Sequence, residues 1–507
     1  MFYSIMSAEI AGVEAVPVRV EADLSDGLPF FAVVGCAAAQ VKEAQDRVKT
    51  ALKNQGIRMP PKRVIINLAP ADLRKESVRF DLPIAAAILA ALGKIPPESL
   101  REAMVLGELH LDGRVGGVRG VLPSVGKARE LGLKRCVVPA ENEAEGRLVE
   151  GIQVIGVRDI AEFLEICRYG RIQETAPRPE SREAVYEVDF ADIRGQKVVK
   201  RAALIAAAGF HNLLMEGPPG AGKSMAARRI PTILPPLTRE ESLELTRIYS
   251  VAGLLPEKNP LMCRRPFRAP HHTLSPQALC GGGRIPRPGE ITLSHRGVLF
   301  LDELPEMARG TLELLRQPME EKKILLSRTS GTYLFPADFM LVGAMNPCPC
   351  GCYPDPGRCR CTPGDLYRYR KKISRALLDR IDLWVHVQPV SYGALKSPGR
   401  EEEGSREMRK IVERAALLQR ERYRGRRFCF NSGLGVGDLE KFCPLTEEGR
   451  RMLEAAYGRL RLSARGYHRI LKVARTIADL EQEEQIAEPH ISEALCYRTD
   501  TLENREV

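Results

Sequence analysis

A chain of 507 residues is too long for one hydrophobic core, so two to four domains are expected. Its 28% charged and 44% hydrophobic residues are ordinary soluble composition, no apolar run approaches the length of a membrane span, and the first 20 residues lack a signal-peptide layout, so a cytoplasmic chain that crosses no membrane is expected. A net charge of +11 with a pI near 9.0 suits a polyanionic partner such as nucleic acid, whereas 6% aromatic residues with a single tryptophan exclude a broad base-stacking platform.

Residues 1–170 alternate strand-like and helix-like runs. Residues 30–34 and 63–67 read as strands, 41–54 as an amphipathic helix, and 82–92 as an alanine-rich apolar helix with Pro83 in its first turn. Residues 107–115 and 136–139 suggest two more strands, separated by a helix over 124–131. This predicts an α/β domain with its own core. The polar stretch 171–187, with Pro177 and Pro179, reads as a linker. A helix over 197–209 then feeds a short buried strand, 212–216.

The most informative stretch follows: Gly217, Pro218, Pro219, Gly220, Ala221, Gly222, Lys223 and Ser224 spell a G-x-x-x-x-G-K-S phosphate loop between a strand and a helix. Its glycines let successive backbone N–H groups converge on phosphate oxygens, and the helix N-terminus adds positive potential. Lys223 is expected at the β- and γ-phosphates of ATP, and the Ser224 hydroxyl on Mg²⁺. Further on, the apolar run 297–301 ends in Asp302 and Glu303, a Walker B pattern. Asp302 is expected in the Mg²⁺ shell and Glu303 on the attacking water.

Between these motifs, Arg264, Arg265, Arg268, Arg284 and Arg287 give the segment a basic character suited to phosphate contact. His271 and His272 are adjacent, so a strand would point them to opposite faces, which argues against a shared metal. Residues 308–321 read as a helix. Residues 324–327 and 332–335 flank a turn and read as a hairpin, and 339–344 as a buried strand leading to Asn346. Five of the thirteen cysteines crowd into 348–361. Cys348, Cys350, Cys359 and Cys361 form two C-x-C pairs whose thiolates suit tetrahedral Zn²⁺ in a structural role, with Cys352 as a fifth candidate ligand. From about residue 391 the pattern is helical, with long helices over 406–423, 442–458 and 466–480 and Arg465 at a helix start, where a cation lacks an anionic partner.

Asn67 to Leu73 (NLAPADL) and Arg79 to Ala85 (RFDLPIA), with the loop and acid motifs and the 265–295 segment in this order, resemble the ComM/YifB family of magnesium-chelatase-like AAA+ ATPases along nearly the whole chain. The resemblance implies an N-terminal domain of Lon-protease (S5-type) α/β fold over 1–170, the linker over 171–187, an AAA+ ATPase core over 188–390 with its Cys loop at 348–361, and a helical lid over 391–507. Where a Lon-type protease has its serine nucleophile this chain has Ile84, and Leu122 falls near the lysine position, so the domain is expected to be non-proteolytic. By the same resemblance Ile193 lies near the adenine, Asn346 is sensor 1, Arg380 is an arginine finger acting in trans, and Arg465 is sensor 2. The 265–295 segment becomes a pore-directed helix-2 insert and the 324–335 hairpin a presensor hairpin, with Arg328 and Arg268 as DNA contacts. A finger in trans demands an oligomer, and the family implies a hexameric ring moving DNA as a helicase or branch-migration motor in recombination or natural transformation. A magnesium-chelatase-type motor subunit remodelling a protein partner is the alternative.

Overall fold

The computed structural model describes residues 1–170, 186–256, 259–284, 286–328, 331–389 and 403–498. The expected linker over 171–187 lies, except for its last two residues, outside the described residues, as does the start of the expected helical region, residues 391–402.

The N-terminal sheet has seven strands in the order Phe30–Val34, Arg63–Ala69, Glu14–Ser25, Phe2–Ala11, Ala103–Val105, Arg135–Pro139, Gln153–Val157. Its centre is a long antiparallel pair, Phe2–Ala11 with Glu14–Ser25, joined by a two-residue turn at Gly12 and Val13. Sequence reading did not anticipate this pair. The apolar helix is present as Asp81–Ala91, every residue of it buried, with Pro83 in its first turn. It lies against the central pair, as its all-round apolar character requires. The helix expected over 41–54 is divided into Ala39–Lys42 and Ala44–Asn54.

The second sheet is entirely parallel, in the order Phe267–Arg268, Val298–Leu301, Met340–Met345, Leu213–Glu216, Leu383–His386. Alternate residues enter different cores. Leu213, Met215, Val298, Phe300 and Val342 join the core shared with the C-terminal helices, while Leu214, Leu299, Leu301 and Leu341 face the opposite layer. Burial on both faces explains why these strands read as continuous apolar runs. In chain order the Leu213–Glu216 strand comes first, yet it sits between the last two strands. The sheet's switch point therefore falls at its carboxyl end, where open α/β sheets bind ligands.

The helix expected over 308–321 is two short helices, Arg309–Glu313 and Arg316–Glu321. Pro318 has no N–H to give the Leu314 carbonyl, so one continuous ladder cannot form. The C-terminal region is helical as expected: Ser405–Arg422, Val436–Phe442, Glu447–Arg459, Ala464–Leu480 and Glu488–Cys496. It shares one core with the parallel sheet, and the Gln419 amide donates to the Ala208 carbonyl at 3.1 Å.

The two sheets meet across the helix Arg239–Ala252, which Thr238 and Glu241 start with a reciprocal capping box. Glu145 of the N-terminal unit accepts from Ser250 Oγ at 2.5 Å and from the Leu122 N–H at 2.7 Å. Val13, from the N-terminal turn, is buried in the core layer of the second sheet. No helix among the described residues is long and apolar enough to cross a membrane.

Candidate nucleotide site

The phosphate loop leaves the Leu213–Glu216 strand and enters the helix Lys223–Ile233. Gly222 sits at the helix N-cap with φ +92°, in the left-handed region that L side chains rarely adopt. The loop's own groups surround its cation. Lys223 Nζ donates to the carbonyls of Gly217 (2.5 Å) and Pro218 (3.0 Å) and to Asn346 Oδ1 (3.1 Å). Burial lowers the Lys223 pKa from its ordinary value, against the opposing pull of Asp302, Glu216 and Glu303. Ser224 Oγ donates to Asp302 Oδ2 at 2.7 Å. Four residues from three strand ends (Lys223, Ser224, Asp302 and Asn346) are thus joined in two contacts. A hydroxyl and a carboxylate oxygen side by side are hard ligands of the kind Mg²⁺ takes, and a lysine and an amide converging alongside suit a polyphosphate.

Glu303 follows the fully buried run Val298–Leu301. Its φ is +49°, a conformation costing a non-glycine residue about 1 kcal/mol or more, of the kind that concentrates at functional sites. His272 Nδ1 lies 3.2 Å from Glu303 Oε2. The expectation that His271 and His272 diverge is corrected. The strand stops at Arg268, before Pro270, and the two rings face each other in a turn with centroids 4.1 Å apart. Among the described residues they join no metal-ligating cluster, and His272 instead reaches Glu303.

Ile193 is buried just after the short turn Phe190–Asp192, and the neighbouring Gln196 amide donates to the Ala221 carbonyl at 3.3 Å. Glu216, which sequence reading missed, is a buried carboxylate immediately before the loop. It accepts from Trp384 Nε1 at 3.0 Å and pairs with Arg370 at 3.5 Å and His386 at 3.3 Å. The available signal was an ionisable residue closing an otherwise apolar strand.

The two other arginines expected at the nucleotide meet elsewhere in this chain. Arg380 Nη2 lies 2.5 Å from Glu320 Oε1, and Arg465 Nη2 lies 3.7 Å from the same oxygen. Glu320 therefore supplies the anion that the helix start at Arg465 lacked in the sequence. Arg328 is exposed at the tip of the hairpin Lys323–Arg328 with Gly331–Pro336, beside Gly282. Arg268 is not free for a polyanion: Glu290 holds it through two contacts of 2.6 and 2.7 Å. Arg265 is buried against Glu241. The basic character of this segment rests on Arg264, Arg284 and Arg287, which are exposed. Ile84 and Leu122 are buried apolar side chains, so neither position offers a nucleophile or a base.

Cys348, Cys350, Cys359 and Cys361 place their sulfurs within 4.8 Å of one another. Measured pairs are 3.3, 3.6 and 3.8 Å, too long for disulfides and close to the roughly 3.8 Å edge of a tetrahedral ZnS₄ centre. Cys352 turns to the Cys350 carbonyl and stays outside the cluster, so four of the five candidates are brought together. The Cys352 N–H and the neighbouring Cys348 and Cys361 thiols pull the Cys350 thiol down to about 6, while hydrogen bonds to Cys350 and Cys348 push Cys359 and Cys361 up, so without a cation the cluster favours a single thiolate at Cys350.

Comparison with known proteins agrees with this geometry. Residues 189–395 match the magnesium chelatase subunit ChlI family, residues 20–142 the family described as subunit ChlI of Mg-chelatase, and residues 402–498 the ChlI C-terminal family. The chain is 42% identical over 508 residues to competence protein ComM of Haemophilus influenzae, covering 97% of each chain. It is 42% identical over 506 residues to the uncharacterized protein YifB of Escherichia coli, covering 98% of this chain and 97% of that one. A shorter likeness, 28% over 128 residues, relates 25% of the chain to 23% of Lon protease 2 of Bacillus subtilis. The chain therefore belongs to the ComM/YifB family of magnesium-chelatase-like AAA+ proteins.

Proposed function

We propose that this protein is an ATP-hydrolysing ring motor that moves DNA in the cytoplasm, of the helicase or branch-migration kind used in recombination or natural transformation. The observation that carries the ATPase reading is the convergence of Lys223 on Asn346 and of Ser224 on Asp302 at the carboxyl ends of three parallel strands. Lys223 and the loop N–H groups hold the polyphosphate of ATP. Ser224 and Asp302 hold Mg²⁺, which neutralises charge on the β- and γ-oxygens when bound. Glu303 orients the attacking water, Asn346 aligns it, and Ile193 lies by the adenine. Arg380 serves a neighbouring protomer's γ-phosphate, Arg465 acts as sensor 2, and the active form is a homo-oligomer, a hexameric ring.

DNA is supported by the net charge of +11, by exposed Arg328 on a hairpin beside the Gly282 loop, and by the word competence in the name of a relative covering 97% of the chain. We assign 1–170 to a non-proteolytic Lon-like domain, 188–390 to the AAA+ core and 391–507 to the lid, with Zn²⁺ on the four-cysteine cluster. The chelatase family matches along all three regions favour one alternative, a motor subunit remodelling a protein partner. Turnover measured with and without single-stranded, duplex and forked DNA separates the two, beside a Glu303→Gln control. Stimulation by DNA, absent in the control, is expected. Turnover indifferent to every DNA would overturn the translocase and leave the alternative.

A further inference from the structure

The cysteine loop is flanked on one side by contacts to the phosphate loop and on the other by a helix that contacts the strand leading into it. At the near end, Asn346 accepts from Lys223, and the chain turns within five residues: the Gly351 N–H donates to the Cys348 carbonyl at 3.0 Å and the Tyr353 N–H to Cys348 Sγ at 3.4 Å. This turn presses Gly351 onto Pro219, the third residue of the phosphate loop. A Cβ on Gly351 would stand 2.6 Å from Pro219 Cδ and 2.8 Å from Cγ, and the φ of +79° is itself unsuited to a side chain. At the far end, Thr362 caps the helix Pro363–Lys371 directly after Cys361. Arg370, in the last turn of that helix, reaches the buried Glu216, the residue before Gly217, and its guanidinium lies over the Tyr353 ring at 5.9 Å. Between these anchors the cysteine loop has only turns, with no helix or strand of its own.

We propose that a Zn²⁺ on Cys348, Cys350, Cys359 and Cys361 braces the phosphate loop through Gly351 and Arg370, so that metal and nucleotide bind cooperatively. The proposal rests on the reading of Gly217–Ser224 as the ATP site. A loop held by four thiolates to one ion is ordered by the metal, because a structural zinc site contributes its binding free energy to folding. Once that loop is ordered, Pro219 and Glu216 have fixed neighbours. The conformational freedom that the phosphate loop would otherwise lose on closing round ATP has then already been lost. Such coupling is reciprocal: if zinc raises nucleotide affinity by some factor, nucleotide raises zinc affinity by the same factor, commonly about 5- to 150-fold between linked sites.

The test uses the full chain. Zinc is counted by mass spectrometry. The Kd of a fluorescent non-hydrolysable ATP analogue is measured with zinc in place, after chelation under reducing conditions with Mg²⁺ restored, and after zinc is returned. Zinc affinity is read by competition with a chromogenic chelator, with and without nucleotide. One zinc per chain, an about tenfold weaker nucleotide Kd on stripping that recovers on reloading, and an equal factor in the reciprocal titration are expected. Gly351→Ala keeps all four thiols and serves where the stripped chain unfolds; it should retain zinc yet weaken nucleotide binding several-fold. Absence of zinc at micromolar metal overturns the proposal. So does stoichiometric zinc with an unchanged nucleotide Kd in both the stripped chain and Gly351→Ala. Failure of the zinc-loaded chain to bind nucleotide at all would instead overturn the ATP site itself.

Discussion

The two sets of residues assigned to one reaction are in different states in this chain. Lys223 and Ser224, at the start of the helix after the phosphate loop, already contact Asn346 and Asp302 respectively, which follow the ends of two parallel strands. Arg380 and Arg465 are drawn to Glu320, on a short helix after the Walker B strand. The first set is brought together within one chain. The second is a pair of cations on a carboxylate, and under the proposed trans role of Arg380 its partner would be the γ-phosphate bound by another copy.

The sharpest way to break this comparison is to separate the halves. Arg380→Ala should lower ATP turnover about a thousandfold, the scale of a missing arginine finger, while leaving nucleotide affinity within a few-fold. Glu303→Gln should cost at least about a hundredfold, the scale of a lost catalytic base. Mixing the two inactive proteins should restore activity, because some interfaces then pair an intact Glu303 with an intact Arg380. Rates measured against mixing ratio check this, and a mixture as inactive as its components would mean that Arg380 does not work in trans.

How legible this was depended on how local the signal is. The phosphate loop, its flanking strand and helix, and the acids after Val298–Leu301 were readable because each is a contiguous run with one physical purpose. The Phe2–Ala11 and Glu14–Ser25 pair went unread although Gly12 between two alternating runs is a hairpin signal, since its strands mix serine, glutamate and alanine among their apolar residues. The helix over 308–321 was misjudged because Pro318 breaks the ladder only from its third position in the second helix. The pairings of Glu216, His272 and Glu320 were hidden for another reason, even where, as at Glu216, an ionisable residue closing an apolar strand marked the position. Each acts through a partner 31 to 170 residues away, and no spacing rule reports such pairings. Arg268 and Arg265 show the converse error, where basic residues read as a surface are spent on Glu290 and Glu241.

A smaller effect is expected at the anion shared by the two arginines. If Glu320 only occupies Arg380 and Arg465 until a phosphate replaces it, Glu320→Gln should raise turnover about three- to fivefold at protein concentrations where rings are sparse. The limit is set by a half-exposed ion pair worth up to about 1 kcal/mol. A loss of turnover at every concentration would mean that Glu320 positions the arginines for chemistry instead of withholding them.

The smallest effect concerns the footing of Arg380. Asp382, two residues on, accepts from the Asn212 N–H at 3.0 Å and lies 3.4 Å from His211 Nδ1. Burial alone would raise its pKa, but His211, Lys472 and that N–H outweigh it and hold the carboxyl below its ordinary value. A carboxylate depressed in the folded state adds stability that is complete above its unfolded pKa, about 3.9, and is lost as pH falls through the lower folded value. Between pH 5 and 8, then, Asp382 should give the melting temperature no slope of its own. Wild type should fall toward Asp382→Asn only below about pH 4, where protonation makes the two chemically alike. Melting curves of both proteins across that range check it. A gap that stays constant down to pH 3 would show that the carboxylate charge does not hold the loop carrying Arg380, and that its hydrogen bond to the Asn212 backbone is enough.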